Sequence, residues 1–431
     1  MSRLHAHACA ILLSLVLTPL AGAADYFVAT TGDDGNAGSQ SEPWRTLQHA
    51  ADTVGPGDTV SVRGGNYTGA YIETSGTPSQ PIVFQAFGGE VPSITADNPR
   101  TPDGFNLEGA SYVTVQGFTI NGRSRAGIRA VTCGHVTIRN NHADGNGTWG
   151  IFTGFCDDVL IENNVAANSG EQHGIYVSNS GDRPVIRGNT IYGNYQAGIH
   201  MNGDGSEGGD GIISNAIVEN NRIYDNGAGG GSGINCDGVQ DSIIRNNLVY
   251  DEHASGISLY QIDGGGPSSG NLVANNTVLV ASNGRWALNI QDGAIDNEVR
   301  NNILWNAHSF RGTLDISEES LPGYTADHNV VMDRFTTDGG DTVLSLADWR
   351  QQTGQDAHSL VSTPAALFAD AGGDDYRLAA TSPALDAGET LADVPTDIVG
   401  VARPQGAAFD IGAYEQAAAA TGDEIFAGPF D

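Results

Sequence analysis

Residues 171–180 read "EQHGIYVSNS" and residues 196–205 read "QAGIHMNGDG". The shared Gly-Ile, followed each time by a different polar residue, recurs along the middle of the chain. It begins at Gly127, Gly150, Gly174, Gly198, Gly233 and Gly256, with Ala287-Leu288 as a degenerate seventh copy. A second marker keeps step with it, ending on Asn141, Asn164, Asn189, Asn221, Asn247, Asn276, Asn302 and Asn329 at intervals of 23, 25, 32, 26, 29, 26 and 27 residues. Self-similarity at such a period marks a solenoid whose coils bury one another.

The stretches between the markers, such as "VTIRNN", "AIVENN" and "SIIRNN", alternate apolar and polar residues, are rich in Val and Ile, and are bounded by Gly, Asn and Asp. That is strand patterning, so each coil is expected to hold three short strands. The spaced leucines of a leucine-rich repeat are absent. The Asn column reads as a stack of side-chain amides inside a turn, satisfying buried backbone groups coil after coil. Tyr192, Tyr224, Tyr250 and Trp305 each follow that column by three residues and read as a structural aromatic stack.

Composition sets outer limits. The chain has 431 residues, 59 of them Gly, and a formal charge of −32; all 19 basic residues are Arg, and there is no Lys. Such acidity repels nucleic acid and anionic membranes. Residues 1–24 join Arg3 to the apolar run "CAILLSLVLTPLAG" and end on "AGAA", the pattern of a cleavable secretory signal. An exported protein without a membrane span is therefore expected, extracellular or periplasmic, and a monomer. With Cys9 in the leader, Cys133, Cys156 and Cys236 remain. Cys133 and Cys156 each lie six residues after a repeat glycine, so the same position on neighbouring coils, roughly 4.8 Å apart, favours a disulfide. Cys236 falls in the inward column as a free, apolar thiol.

With these repeats the sequence resembles the right-handed parallel β-helix proteins, which include pectate lyases, alginate lyases, alginate C5-epimerases and polygalacturonases. The resemblance implies an all-β right-handed parallel β-helix core over residues 105–330. The segment 25–104 is similar to the cap and first coils of such proteins, with a capping helix near Thr46 to Val54. Residues 331–415 resemble a closing segment, and 416–431 an alanine linker with a tail similar to C-terminal sorting motifs, one route to surface attachment. The resemblance also makes the Gly-Ile strand the floor of a substrate cleft.

Strand alternation sends the residue after each Ile outward and the next one inward. The inward column is Ala130, Thr153, Val177, Met201, Cys236, Leu259 and Ile290. Outward come Arg129, Phe152, Tyr176, His200, Asn235, Ser258 and Asn289, and two residues further on Val131, Gly154, Ser178, Asn202, Asp237, Tyr260 and Gln291. Uronate lyases and epimerases need a base for the proton alpha to the carboxylate, an acid, and a group that neutralises the carboxylate. The lysine base used by many β-helix lyases is excluded by composition. An Arg base or a Tyr/His pair remains, and Tyr176 and His200, with His173 and Asp237 beside them, are the candidates for proton transfer. Arg129, Asn202, Asn235, Tyr260, Asn289 and Gln291 are candidates for substrate binding, and the cluster Arg123, Arg125 and Arg129 could hold uronate groups bidentately.

Other readings stand beside this one. "NCDG" at 235–238 is similar to the Asn-Thr-Asp-Gly of polygalacturonases, with Glu171, Asp204 or Asp263 as a second acid for hydrolysis. That family's adjacent aspartates and Gly-His-Gly are missing, as is the Asp-Pro-His of the epimerases. Asp204, Asp210 and Asp263 sit in Gly-rich insertions that suit Ca2+ or ordinary turns, and no other cofactor is called for. A scaffold retained only to bind glycans is the third reading, and an exposed histidine is commonly just a surface residue. The polysaccharide is the expected partner in all three.

Overall fold

A computed structural model describes residues 22–416. The signal segment and tail read from the sequence lie outside them, apart from residues 22–24 and 416. Among the described residues, three parallel sheets of twelve, eleven and twelve strands run the length of the molecule. Each coil adds one strand to each sheet, so the chain is an all-β right-handed parallel β-helix. No helix among these residues is long and apolar enough to cross a membrane. A seven-residue helix, Leu47–Thr53, forms where one was expected, capped by the Thr46 side chain and burying Leu47, Ala50 and Ala51.

The Gly-Ile strands form the eleven-stranded sheet, in the register read from the sequence. Tyr176 pairs with His200, His200 with Asn235, and Asn235 with Ser258. The inward column is core: Ala130, Thr153, Met201, Cys236, Leu259 and Ile290 are all 0% exposed. Stacking runs past residue 330, because Leu360–Val361 still pairs with Val330–Val331.

The turn between the two twelve-stranded sheets explains the Asn column. The residue before each marker asparagine (Asn140, Asn163, Gly188, Asn220, Asn246, Asn275, Asn301 and His328) has a φ of 52–65°. That left-handed conformation favours Asn and Gly. The marker itself turns inward, and its Nδ2 donates to the Oδ1 of the next at 3.0–3.2 Å, from Asn141 through to Asn329. Each amide also serves backbone; Asn221 donates to Ile186 O at 2.9 Å and accepts from Asn189 N at 2.9 Å.

A second ladder, which the sequence reading missed, lies between the third sheet and the next Gly-Ile strand. Asn194 Nδ2 donates to Asn226 Oδ1 at 2.8 Å, and Asn226 Nδ2 to Glu252 Oε1 at 3.0 Å. Glu252 is fully buried in an amide's place, and its Oε2 has no partner. Burial pushes its carboxyl up from 4.5 to about 8, so it is protonated at neutral pH and imitates an amide.

Residues after 362 fold back along the outside of the third sheet. They carry the buried Arg403–Glu415 ion pair at 2.8 Å, and their Phe368, Tyr376 and Ile411 pack on Leu248, Tyr250 and Ile303. The tyrosine stack proves structural: Tyr192, Tyr224 and Tyr250 lie ring on ring at 5.0 and 4.9 Å, and Tyr376 covers the last at 5.0 Å. Cys133 and Cys156 form a disulfide between adjacent coils, with Cα atoms 4.5 Å apart, and Cys236 is a buried free thiol.

Three outcomes are expected. Asn221→Ala removes one rung and leaves the Asn189 amide and Ile186 carbonyl unpaired, which should lower unfolding free energy by roughly 2–4 kcal/mol; an unchanged denaturant midpoint would show that the ladder is not stabilising. For the chain without residues 1–24, thiol titration should find no thiol in the native protein and one on unfolding, whereas three would rule out the bridge. Because the folded state holds the Glu252 proton while the unfolded chain releases it above about 4.5, stability should fall as pH rises from there to about 8. Glu252→Gln should flatten that slope in pH-dependent melts, and a slope that persists would place its origin elsewhere.

Candidate functional site

Two features share the Gly-Ile face. The first is an aromatic run along the outward column, where Phe152 and Tyr176 lie edge to face with centroids 5.3 Å apart and Tyr176 and His200 stack at 4.9 Å and 9°. Trp149, three residues earlier on the strand of Phe152, reaches the same run at 4.6 Å from Phe152; its side chain sits before the repeat glycine, where outward counting from Ile does not look.

His173 completes the group and fixes its protons. Ala197 N–H donates to His173 Nδ1 at 3.2 Å, and His173 Nε2 lies 3.0 Å from His200 Nδ1. A backbone N–H can only donate, so His173 Nδ1 is bare and a neutral ring carries its proton on Nε2. That proton goes to His200 Nδ1, which leaves the neutral His200 protonated at Nε2. This Nε2 is buried without a partner. Burial lowers His200 to about 4, and burial and then His200 itself hold His173 well below its ordinary value. Both rings are neutral at physiological pH, and His200 is a donor rather than a base. Burial raises the Tyr176 phenol, which accepts from Asn202 Nδ2 at 3.3 Å.

The second feature is a cleft of about 430 Å³ immediately downstream. Its floor is Asn235, Ser258, Tyr260, Asn289 and Gln291, all candidates or members of the outward columns. Asn235 Nδ2 donates to Tyr260 Oη at 2.6 Å and Gln291 Nε2 to Asn289 Oδ1 at 3.2 Å. One wall is Ile262, at the start of an insertion that is zipped to the other by Gly205 N–H to Asp263 O (2.8 Å) and Gly265 N–H to Gly211 O (2.7 Å). The opposite wall holds Arg285, Trp286 and Arg311.

Several expected roles do not fit. Asp237 is 2% exposed, and its carboxylate accepts from the N–H groups of Ile262, Asp263 and Gly264 at 2.8–3.0 Å. It anchors the insertion and does not face the histidines. The arginine cluster is neutralised internally, by Arg123–Asp97 (3.1 Å), Arg125–Asp103 (2.6 Å) and Arg129–Glu108 (2.6 Å). Glu171 is an exposed residue that bonds Thr148 at 3.3 Å. Asp204 and Asp210 close their own turns through Ser206 N–H and Ile212 N–H, both at 3.0 Å. Asp263 is exposed, and the three aspartates form no group of converging ligand atoms among the described residues.

What the sequence reading missed is the cationic wall. Neither Arg285 nor Arg311 has a carboxylate within 4 Å among the described residues, in a chain of −32. Among the described residues the Arg311 guanidinium donates only to Gly284 O, at 3.2 Å. The field of Arg311 is felt nearby, where burial and then Arg311 and Arg334 lower His308. Asp315 lies across the floor from them, 7% exposed, with its carboxyl raised by burial. These residues escaped notice because Arg285 and Arg311 precede the strands they serve, in segments without a repeat.

Comparison with known proteins agrees with this architecture. A family described as "Pel9A-like, right handed beta helix region" matches residues 26–170, and "Right handed beta helix region" matches 170–329. Over 89 residues the chain is 38% identical to pectate lyase PEL9 of Emericella nidulans, covering 20% of this chain and 21% of that one. Over 79 residues it is 35% identical to the uncharacterized protein YwoF of Bacillus subtilis, covering 18% and 17%. The matches thus span about a fifth of the length of these curated relatives. Among solved structures, pectate lyase Pel9A superposes with a TM-score of 0.64 at 16% identity, covering 92% of this chain and 98% of that one. A complex of XylC with xylose gives 0.57 at 12% identity, covering 90% and 98%. At such identities the superpositions speak for the fold, and on fold and repeats together the chain belongs to the right-handed parallel β-helix proteins.

Proposed function

We propose that the protein is an exported enzyme acting on a uronate-containing polysaccharide by β-elimination or C5-epimerisation. The observation that carries the reading is the cleft on the Gly-Ile face, whose two arginines without carboxylate partners stand three and four coils along the same sheet from His200. An acidic surface repels an acidic polymer except where cations are left free, and Arg285 and Arg311 leave such cations along the cleft wall.

The roles follow from the proton positions. Arg285 and Arg311 hold carboxylates of the polymer. His200 offers Nε2–H to the carboxylate oxygen on which charge develops when C5 loses its proton, and that donor lacks a protein partner. It is buried, so the stack must part to admit the sugar. Tyr176 is the remaining proton-transfer group: as phenolate it takes the C5 proton, and as phenol it returns a proton to the leaving glycosidic oxygen in elimination, whereas in epimerisation water reprotonates C5 from the opposite face. Its raised pKa works against the phenolate and places the favourable range on the alkaline side. Calcium bridging between polymer and the Asp204, Asp210 and Asp263 loops is a further part of the proposal.

Hydrolysis has one observation in its favour. Asp292 and Asp315 both line the cleft, and burial raises the Asp315 carboxyl, the direction a general acid needs. A glycan-binding role would use the same cleft without turnover.

A polysaccharide panel followed by ultraviolet absorbance of unsaturated product, by sugar NMR and by reducing-end release separates these readings. On an active uronate polymer, Tyr176→Phe and His200→Ala should each lower turnover about 100-fold with the fold intact. Arg285→Ala and Arg311→Ala should chiefly raise KM. The limb assigned to His200 should lie near pH 4 and not at 6–7. Reducing ends without unsaturation would overturn the lyase reading, and full activity of Tyr176→Phe would remove that residue from the mechanism.

A further inference from the structure

On the outer edge of the last coils, at the turn between the two twelve-stranded sheets and away from the Gly-Ile face that carries the cleft, Asp327, His328 and His358 converge. Their ligand atoms all lie within 4.8 Å of one another. The register brings them together: Val330 pairs with Leu360, so residues 328 and 358 are neighbours, and their rings stack at 4.8 Å and 17°. Asp327 Oδ1 is occupied by the N–H groups of His328 (2.9 Å) and His358 (2.6 Å), which aims Oδ2 at the two imidazoles. Oδ2 meets His358 Nδ1 at 2.7 Å and stands 3.7 Å from His328 Nδ1.

Two further observations single out the group. His328 Nδ1 and Glu389 Oε1 are both buried without a hydrogen-bond partner, and they face each other at 3.9 Å. That is too long for a hydrogen bond and leaves room for an ion coordinated by both. Glu389 is held there by its backbone, which exchanges hydrogen bonds with the Asn301 side chain at 2.8 and 2.9 Å. In addition, His328 occupies the left-handed turn position that the seven preceding coils fill with Asn or Gly. The turn has no need of an imidazole.

We propose that Asp327, His328 and His358 bind a divalent transition-metal ion of the zinc class, with Glu389 on the rim as a fourth ligand. Two imidazole nitrogens with carboxylate oxygens are a donor set that suits zinc. A tetrahedral ion with bonds of about 2.0–2.2 Å holds its ligand atoms roughly 3.3–3.6 Å apart, between the 2.7 and 3.9 Å separations present. Small side-chain rotations suffice. Arg300 stands against the ion, with Nε 3.4 Å from Glu389 Oε1, but it is already paired with Glu298 at 2.8 Å. The carboxylates of Asp327, Glu298 and Glu389 leave the locality anionic. Bound there, the ion ties together two successive coils and the segment around Glu389 that folds back over them.

The test uses the full chain, stripped with EDTA and titrated with ZnCl2 by calorimetry, with thermal melts in parallel. One Zn2+ per chain and a raised Tm are expected. His328→Asn installs the residue this turn uses elsewhere, so it should melt like the metal-free parent and bind Zn2+ at least about tenfold more weakly. His358→Ala changes a solvent-exposed side chain and should weaken binding likewise, which keeps the test valid if His328→Asn fails to fold. No stoichiometric Zn2+ in the parent, or binding unchanged in His358→Ala, would overturn the assignment.

Discussion

Everything in this molecule depends on adjacent coils staying in step, one residue opposite its counterpart, and side-chain amides enforce that step. A parallel solenoid has no tight hairpins to set register; each strand is separated from its partner by twenty or more residues. The Asn141-to-Asn329 ladder supplies the missing constraint, because each amide is both donor and acceptor and fits only when its neighbour is level. A slip of one residue would turn His200 inward and Met201 outward. The outward columns are therefore well-defined surfaces, and the aromatic run and cleft inherit their geometry from a turn on another side of the coil.

Charge is organised by the same stacking. Arg187 reaches Glu162 and Arg245 reaches Glu219 on the neighbouring coil, at 2.9 and 2.6 Å, so much of the basic complement is consumed along the solenoid. What is left over matters more than the total. The cleft wall holds two cations, Arg285 and Arg311, with no such partner among the described residues, in a molecule otherwise dominated by carboxylates.

The sequence reveals whatever repeats and conceals whatever does not. Core columns, the amide stack, the tyrosine stack and the Cys133–Cys156 alignment all follow from counting along the coil, as does the Tyr176–His200 contact. Counting fails at the strand ends. Asp237 sits in the outward column, yet the following insertion turns back and closes over it with three N–H donors. Arg123, Arg125 and Arg129 look like a free cationic cluster because their partners, Asp97, Asp103 and Glu108, come from the preceding coil, where the marker sequence is not recognisable. Glu252 was hidden for a different reason: it does an amide's work in a chemical form that only burial creates.

The bridge between Cys133 and Cys156 closes a ring of one coil, with a sequence separation of 23. So short a ring restricts the unfolded chain only modestly compared with a longer one. Its larger effect is topological. A solenoid frays from its ends, each coil being held only by its neighbours. A coil welded to the next cannot peel away alone, and a protease that nicks anywhere between the two cysteines leaves both halves attached. The weld lies one coil before Tyr176, so the aromatic run is shielded from unravelling that starts at the amino-terminal end.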